Sequence, residues 1–189
     1  MKARFVLLAA ALALFGMTQV GAAAWIHAKG FFAQRLIAAA WRRAASGAPA
    51  ERPWPWADMR PVAKLTVPGQ RIDLYVMDDA SRRSLAFGPG LVAGTAAAAS
   101  AGNTVIVAHR DTHFTFLKRL NPGDEIDLQP AGGSVARYRV SAASVVDRGD
   151  VEVMEDAGAP RLTLITCYPF DAIRPGTRYR YVVVAARVA

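Results

Sequence analysis

The sequence predicts a mainly β domain, closed or nearly closed into a barrel, tethered by an N-terminal membrane helix. Three observations carry that expectation. Seven or eight short strand-like runs recur between Lys64 and Ala185, each bounded by turn residues. Helical periodicity in this half is thin. Ahead of it, Phe5 to Ala24 carries no charged residue, and about twenty apolar residues are what a helix needs to cross the hydrocarbon core.

Taken in order, residues 1–28 read as a membrane anchor. Lys2 and Arg4 precede the apolar run and Trp25 follows it, at the depth where amphipathic rings settle. The apolar run is longer than a usual signal-peptide core, which favours an uncleaved helix, although Gly21-Ala-Ala-Ala24 also offers small residues to a peptidase. Basic residues flank both ends, so the charge rule does not orient the helix by itself; a cytoplasmic N-terminus suits the chemistry that follows. Residues 29–61 form a second segment. From Gly30 to Ala45, Phe32, Leu36, Ile37 and Ala40 recur at helical spacing among Arg35, Arg42 and Arg43, an amphipathic helix for either a membrane surface or the folded domain. Pro49, Pro53, Pro55 and Pro61 then enforce an extended spacer. The indoles of Trp54 and Trp56 within it are expected to dock on the domain beyond.

Residues 62–189 are the expected barrel. Lys64–Val67 and Arg71–Met77 flank the turn pair Pro68-Gly69, and Phe87-Gly-Pro-Gly90 marks another turn. Gly102-Asn103 precedes the apolar run Thr104–Ala108, Asn121-Pro-Gly123 precedes Asp124–Leu128, and Ala131-Gly-Gly133 leads into Val135–Val146. Leu162–Cys167 and Tyr179–Ala185 complete the series. Short helices are expected at Ala96–Ala101 and Phe114–Leu120.

The net charge of +8 is unevenly spread. Residues 1–50 hold six bases and no acid, while the remainder holds 17 bases and 15 acids. The basic excess therefore belongs beside the membrane, where anionic headgroups are its partner. No zinc-finger spacing or basic stripe interleaved with aromatics points to nucleic acid.

Chemistry is concentrated in Arg161-Leu-Thr-Leu-Ile-Thr-Cys-Tyr-Pro-Phe170. Pro169 cannot donate to a ladder, so the strand should stop just after Cys167, the only cysteine. A thiol held at a strand end beside a loop is a candidate nucleophile, but it needs a neighbouring cation or imidazolium to become a thiolate. Of the three histidines, His27 lies at the membrane boundary and His113 follows in a loop, whereas His109 ends the run Thr104-Val-Ile-Val-Ala-His109. His109 is therefore the candidate partner. Attack on an amide also needs a donor for the developing oxyanion. Arg178 and Arg180, two apart at the start of the last strand, share a face that could be that of Cys167.

Together these residues resemble the sortases, membrane-anchored cysteine transpeptidases with an eight-stranded β-barrel. The matching pieces are Val105-Ile-Val-Ala-His109-Arg110-Asp111-Thr112, then Leu162-Thr-Leu-Ile-Thr-Cys167, then Arg180-Tyr-Val-Val183. The resemblance runs from about Lys64 to Ala185, and Trp54-Pro-Trp-Ala-Asp58 with Cys167-Tyr-Pro-Phe-Asp171 is most similar to the proteobacterial group. Ala108 departs from the glycine that many sortases carry before the histidine. The resemblance implies Cys167 as nucleophile, His109 as general acid and Arg180, rather than Arg178, as the oxyanion or substrate donor. It further implies an LPxTG-like C-terminal sorting signal on a substrate protein, an amine acceptor or water, and no metal or organic cofactor. L,D-transpeptidases carry Ser-His-Gly-Cys, which Ile165-Thr-Cys-Tyr168 does not match, and papain-like hydrolases place cysteine before histidine. The remaining alternative is a non-catalytic, membrane-tethered β-domain with an inert Cys167.

Overall fold

A computed structural model describes residues 2–156 and 158–188 of the chain. They form one helix, eight strands and four short 3₁₀ turns: α1 (Lys2–Ala45), β1 (Pro61–Val67), β2 (Ile72–Met77), β3 (Gly90–Leu91), β4 (Asn103–Val107), β5 (Glu125–Pro130), β6 (Ala136–Asp147), β7 (Arg161–Tyr168) and β8 (Tyr179–Arg187). The chain divides into two compact units, Met1–Arg35 and Leu36–Ala189.

Where an anchor and a separate second helix were expected, the one helix α1 is Lys2–Ala45. No helix among the described residues is long and apolar enough to cross a membrane. Much of the expected span lies outside that description, because the side chains of residues 5–11, 13 and 22–24, like that of His27, are not among those described. The described side chains at its end are exposed, with Lys29 Nζ 4.9 Å from the Trp25 ring centroid and Arg35 over the Phe31 ring at 4.9 Å.

The second unit is a closed barrel in the order β1-β2-β3-β4-β7-β8-β6-β5. Most neighbours are antiparallel; β2 with β3, and β4 with β7, are parallel. Alternation along β1 and β5 sends Ala63, Leu65, Val67, Ile126 and Leu128 inward, where they meet Ile106, Leu162, Leu164, Val183 and the aromatic side chains Phe114, Phe116 and Tyr138. β4 and β7 are buried on both faces, with Val105, Ile165 and Val182 forming a second, outer cluster against Val153 and Met154. Such doubly covered strands read as continuous apolar runs, as theirs do.

β3 is only two residues long, and its place depends on glycine. A Cβ on Gly90 would lie 2.4 Å from the carbonyl oxygen of Asp79, so only a bare backbone lets this strand bridge β2 and β4. The Phe114–Leu120 helix is a 3₁₀ segment, Thr115–Arg119. No helix forms at residues 96–101: the chain turns there, with Ala99 at φ 61° and the Ala97 carbonyl accepting from Thr104 Oγ1 at 2.8 Å.

The end of α1 docks on the barrel, which settles the choice left by its amphipathic pattern for residues 36–45. Ile37 is fully buried with Met59 and Met77, and Trp41 meets Tyr75 at a centroid distance of 5.7 Å. Trp54 docks edge-on against Phe87 at 5.3 Å. Trp56 does not dock and is 79% exposed. A turn closed by the Ala57 amide on the Trp54 carbonyl, at 3.0 Å, separates the two indoles, so they cannot share one face.

These contacts set where the barrel can be cut. A chain beginning at Glu51 loses Ile37 and Trp41 from the barrel wall, and should be on the order of 3–5 kcal/mol less stable than one beginning at Leu36. Denaturant unfolding of the two truncated proteins measures this; equal midpoints would mean that residues 36–45 do not dock in solution.

Candidate active site

The parallel pairing of β4 with β7 brings two strand ends to one edge of the barrel. The ladder registers Val105 with Thr163, Ile106 with Leu164 and Val107 with Ile165. It continues through the Ala108 amide, which donates to the Ile165 carbonyl at 3.3 Å, and through Thr166 Oγ1, which donates to the Ala108 carbonyl at 2.7 Å. Extended one step beyond β4, the same register brings the backbone of His109 alongside Cys167. On the other flank of β7, Cys167 pairs directly with Arg180 in the antiparallel ladder with β8. Cross-strand partners share a face, so the cysteine lies between the histidine and the arginine on the outer face, the same face that carries Val105, Ile165 and Val182.

Each group is presented differently. Cys167 is a free, half-buried thiol, His109 is exposed and Arg180 is half-buried. Arg180 Nη1 donates to the carbonyls of Thr177 at 2.8 Å and Tyr179 at 2.9 Å. Its other guanidinium donors make no hydrogen bond among the described residues. Arg178 is committed elsewhere: Nε donates to Asp147 Oδ2 at 2.6 Å, and this exposed pairing holds the guanidinium above its usual range and the carboxyl below its own. The structure thus separates two arginines that spacing alone left equivalent.

His113, in the loop after His109, is half-buried. Burial first, and then the charge of His109, push its pKa below the ordinary imidazole value of 6.5. Thr112 Oγ1 lies 3.3 Å from its Nδ1. Ala108 fills its place without strain, its methyl group buried in the interior cluster.

Two buried polar residues, neither picked out as a site residue by the sequence, shape the surroundings. Asn103, at the start of β4, is 2% exposed. Its Nδ2 donates to the carbonyls of Val153 at 3.2 Å and Glu155 at 3.1 Å, and its Oδ1 accepts from Thr163 Oγ1 at 2.7 Å. It therefore pins the β6–β7 loop, with its 3₁₀ turn Glu152–Met154, over the outer face. Arg110, next to His109, is 8% exposed and reaches the loop between β7 and β8. A polar residue directly before an apolar strand is the one hint of Asn103 in the sequence. A cleft of about 450 Å³ lined by Val67, Gln70, Arg119 and Glu125 lies at the β1–β2 turn, and none of the site residues lines it.

The architecture has close parallels. A family model described as the sortase domain matches residues 65–188. The chain belongs to the sortase family. It is 31% identical over 88 residues to sortase D of Bacillus subtilis (strain 168), a stretch that is 46% of this chain and 43% of that protein. The match thus spans less than half the length of this curated relative. Among solved structures, the pilus-related sortase C of Group B Streptococcus aligns with a TM-score of 0.61 at 25% identity, over 68% of each chain. Sortase A from Corynebacterium diphtheriae gives 0.63 at 22% identity, over 83% of this chain and 84% of its own. A sortase D5 transpeptidase from Clostridium perfringens gives 0.61 at 20% identity, over 68% and 79%. At these identities the likeness speaks to the barrel, and the eight-stranded sortase fold expected from the resemblance is present.

Asn103 provides a direct check on how the outer face is built. Asn103→Ala leaves two loop carbonyls and the Thr163 hydroxyl without their partner, and should cost about 1–3 kcal/mol in unfolding free energy. Limited proteolysis should cut residues 148–160 faster than in the parent chain; an unchanged cleavage rate would show that the loop is held by other contacts.

Proposed function

We propose that this sortase is a cysteine transpeptidase that cleaves an LPxTG-like C-terminal sorting signal and passes the product to an amine acceptor or to water. The observation that carries this reading is the direct pairing of Cys167 with Arg180, at the strand end that register brings beside His109. In the proposed cycle, the Cys167 thiolate attacks the carbonyl carbon of the signal's threonine. The C–N bond breaks as His109 gives its proton to the departing amine, leaving a thioacyl-enzyme. The free donors of Arg180 face the carbonyl oxygen as it gains charge. An incoming amine, or water, then attacks the thioester, His109 takes back a proton, and the C–S bond breaks to release the thiolate.

The decisive experiment mixes the full-length protein in detergent with LPxTG-like peptides and an amine acceptor, and looks for a thioacyl adduct by mass spectrometry. The adduct should form on Cys167 and vanish in Cys167→Ala. His109→Ala should slow acylation by about 10²–10⁴-fold and Arg180→Ala by about 10²–10³-fold, whereas Arg178→Ala should leave it within several-fold. No adduct with any peptide, joined to a thiol that resists iodoacetamide in the folded protein, would support a non-catalytic β-domain instead.

We further place the enzyme in the cytoplasmic membrane as a single-pass protein, N-terminus inside and barrel on the extracytoplasmic side. The uncharged run at residues 5–24 between basic flanks supports this. Alkaline carbonate extraction of membranes should leave the full chain in the pellet and release a chain lacking residues 1–28; release of both would sink the anchor.

A further inference from the structure

We infer that Arg110 is a positioning residue that joins the three chain segments carrying Cys167, His109 and Arg180. The inference rests on the transpeptidase reading above and concerns how its site is held together. Arginine is rarely buried without an acidic partner, yet every hydrogen-bond acceptor of Arg110 is a neutral oxygen. Nη2 donates to the carbonyls of Ala172 at 2.6 Å and Arg174 at 3.0 Å, and Nη1 donates to Thr177 Oγ1 at 3.2 Å.

These acceptors lie in the loop that leaves Cys167 and returns to Arg180. Thr177 is bound twice, through its hydroxyl by Arg110 and through its carbonyl by Arg180 Nη1 at 2.8 Å. The first guanidinium therefore supports the backbone that the second one braces against. On its own side, Arg110 follows His109 directly, and both carbonyls are fixed. The Phe114 amide donates to His109 at 3.0 Å, and Thr115 Oγ1 donates to Arg110 at 3.1 Å.

Phe170 anchors the start of the loop, its ring 5.2 Å from that of Tyr181, but the apex beyond it has little else to order it. Asp171 and residues 173–176 are exposed, Ile173 to 99%. A segment with so few apolar contacts opens readily unless polar contacts hold it. A planar fork of donors spans three acceptors on one loop, which the point charge of a lysine cannot do. Loss of the fork should let the loop drift, and a shift of about 1 Å among reacting groups can cost on the order of 10²-fold in rate.

The test compares Arg110→Gln, Arg110→Lys and Thr177→Val with the parent in full-length, detergent-solubilised protein. Acylation kcat and KM, the rate of Cys167 alkylation by iodoacetamide, and Tm are measured together. Arg110→Gln should lower kcat on the order of 10²-fold with KM changed only several-fold, and should slow alkylation several-fold as the imidazole leaves the thiol. Arg110→Lys should recover only part of kcat, and Thr177→Val should lose less than Arg110→Gln. A kcat within about twofold of the parent in Arg110→Gln, with only Tm reduced, overturns the inference. Full rescue by lysine does so too. If Arg110→Gln fails to fold, parental kcat in both other variants is the overturning result. If no peptide is turned over by the parent, the transpeptidase reading fails on that arm, while alkylation at the parental rate in all three variants separately overturns the role of Arg110.

Discussion

The site depends on one parallel strand pair in a barrel that is otherwise mostly antiparallel. Parallel neighbours finish at the same sheet edge, so a histidine just past β4 and a cysteine at the end of β7 arrive together although 58 residues separate them, as the Thr166–Ala108 hydrogen bond between their neighbours does. β8 runs the other way, so it is its start that reaches this edge, and Arg180 is its second residue. Register is pinned by side chains at both ends of the pair, Thr163 to Asn103 and Thr166 to the Ala108 carbonyl. A slip of one residue would turn His109 toward the interior and separate it from the thiol.

Burial on both faces of β4 and β7 is what makes this edge stiff. The interior cluster holds one face and the Val105–Ile165–Val182 cluster the other. A strand end gripped this way has little freedom to move its last side chain, which suits a nucleophile whose approach must be fixed. The outer cluster also keeps the floor beside Cys167 apolar, and electrostatic contacts made over such a floor are screened less than contacts in open solvent. His109 lies exposed, just beyond the end of β4.

Much of this was legible in the sequence because period-two alternation and turn pairs are local signals. The strand limits at Pro68-Gly69 and at Pro169, and the positions of His109 and Cys167 at strand ends, follow from them. β3 was not legible, since two residues carry no period and its pairing depends on the bare backbone of Gly90. The alanine run at residues 96–101 misled for the opposite reason: its helix propensity is real but weak, and the turn fixed by Thr104 overrides it. Trp56 misled because an indole in a linker signals burial only if its neighbour has not taken the available surface, and Trp54 occupies Phe87. Arg178 and Arg180 could be ranked only by likeness to a family until the position of Asp147 on β6 decided which one is engaged.

Arg110 and Asn103 escaped the sequence because they act through backbone carbonyls, which have no residue-type signature. Their placement nonetheless has a logic. They flank β4 at its two ends, and each reaches a different loop: Asn103 the one before β7, Arg110 the one after it. One residue at the start of β4 and another just past its end thus hold the two loops that flank β7. This arrangement separates what must stay fixed from what can vary. Loop side chains that point outward, such as Val151 and Ile173, contribute little to the fold, so exchanging them leaves the strand ends beneath in place.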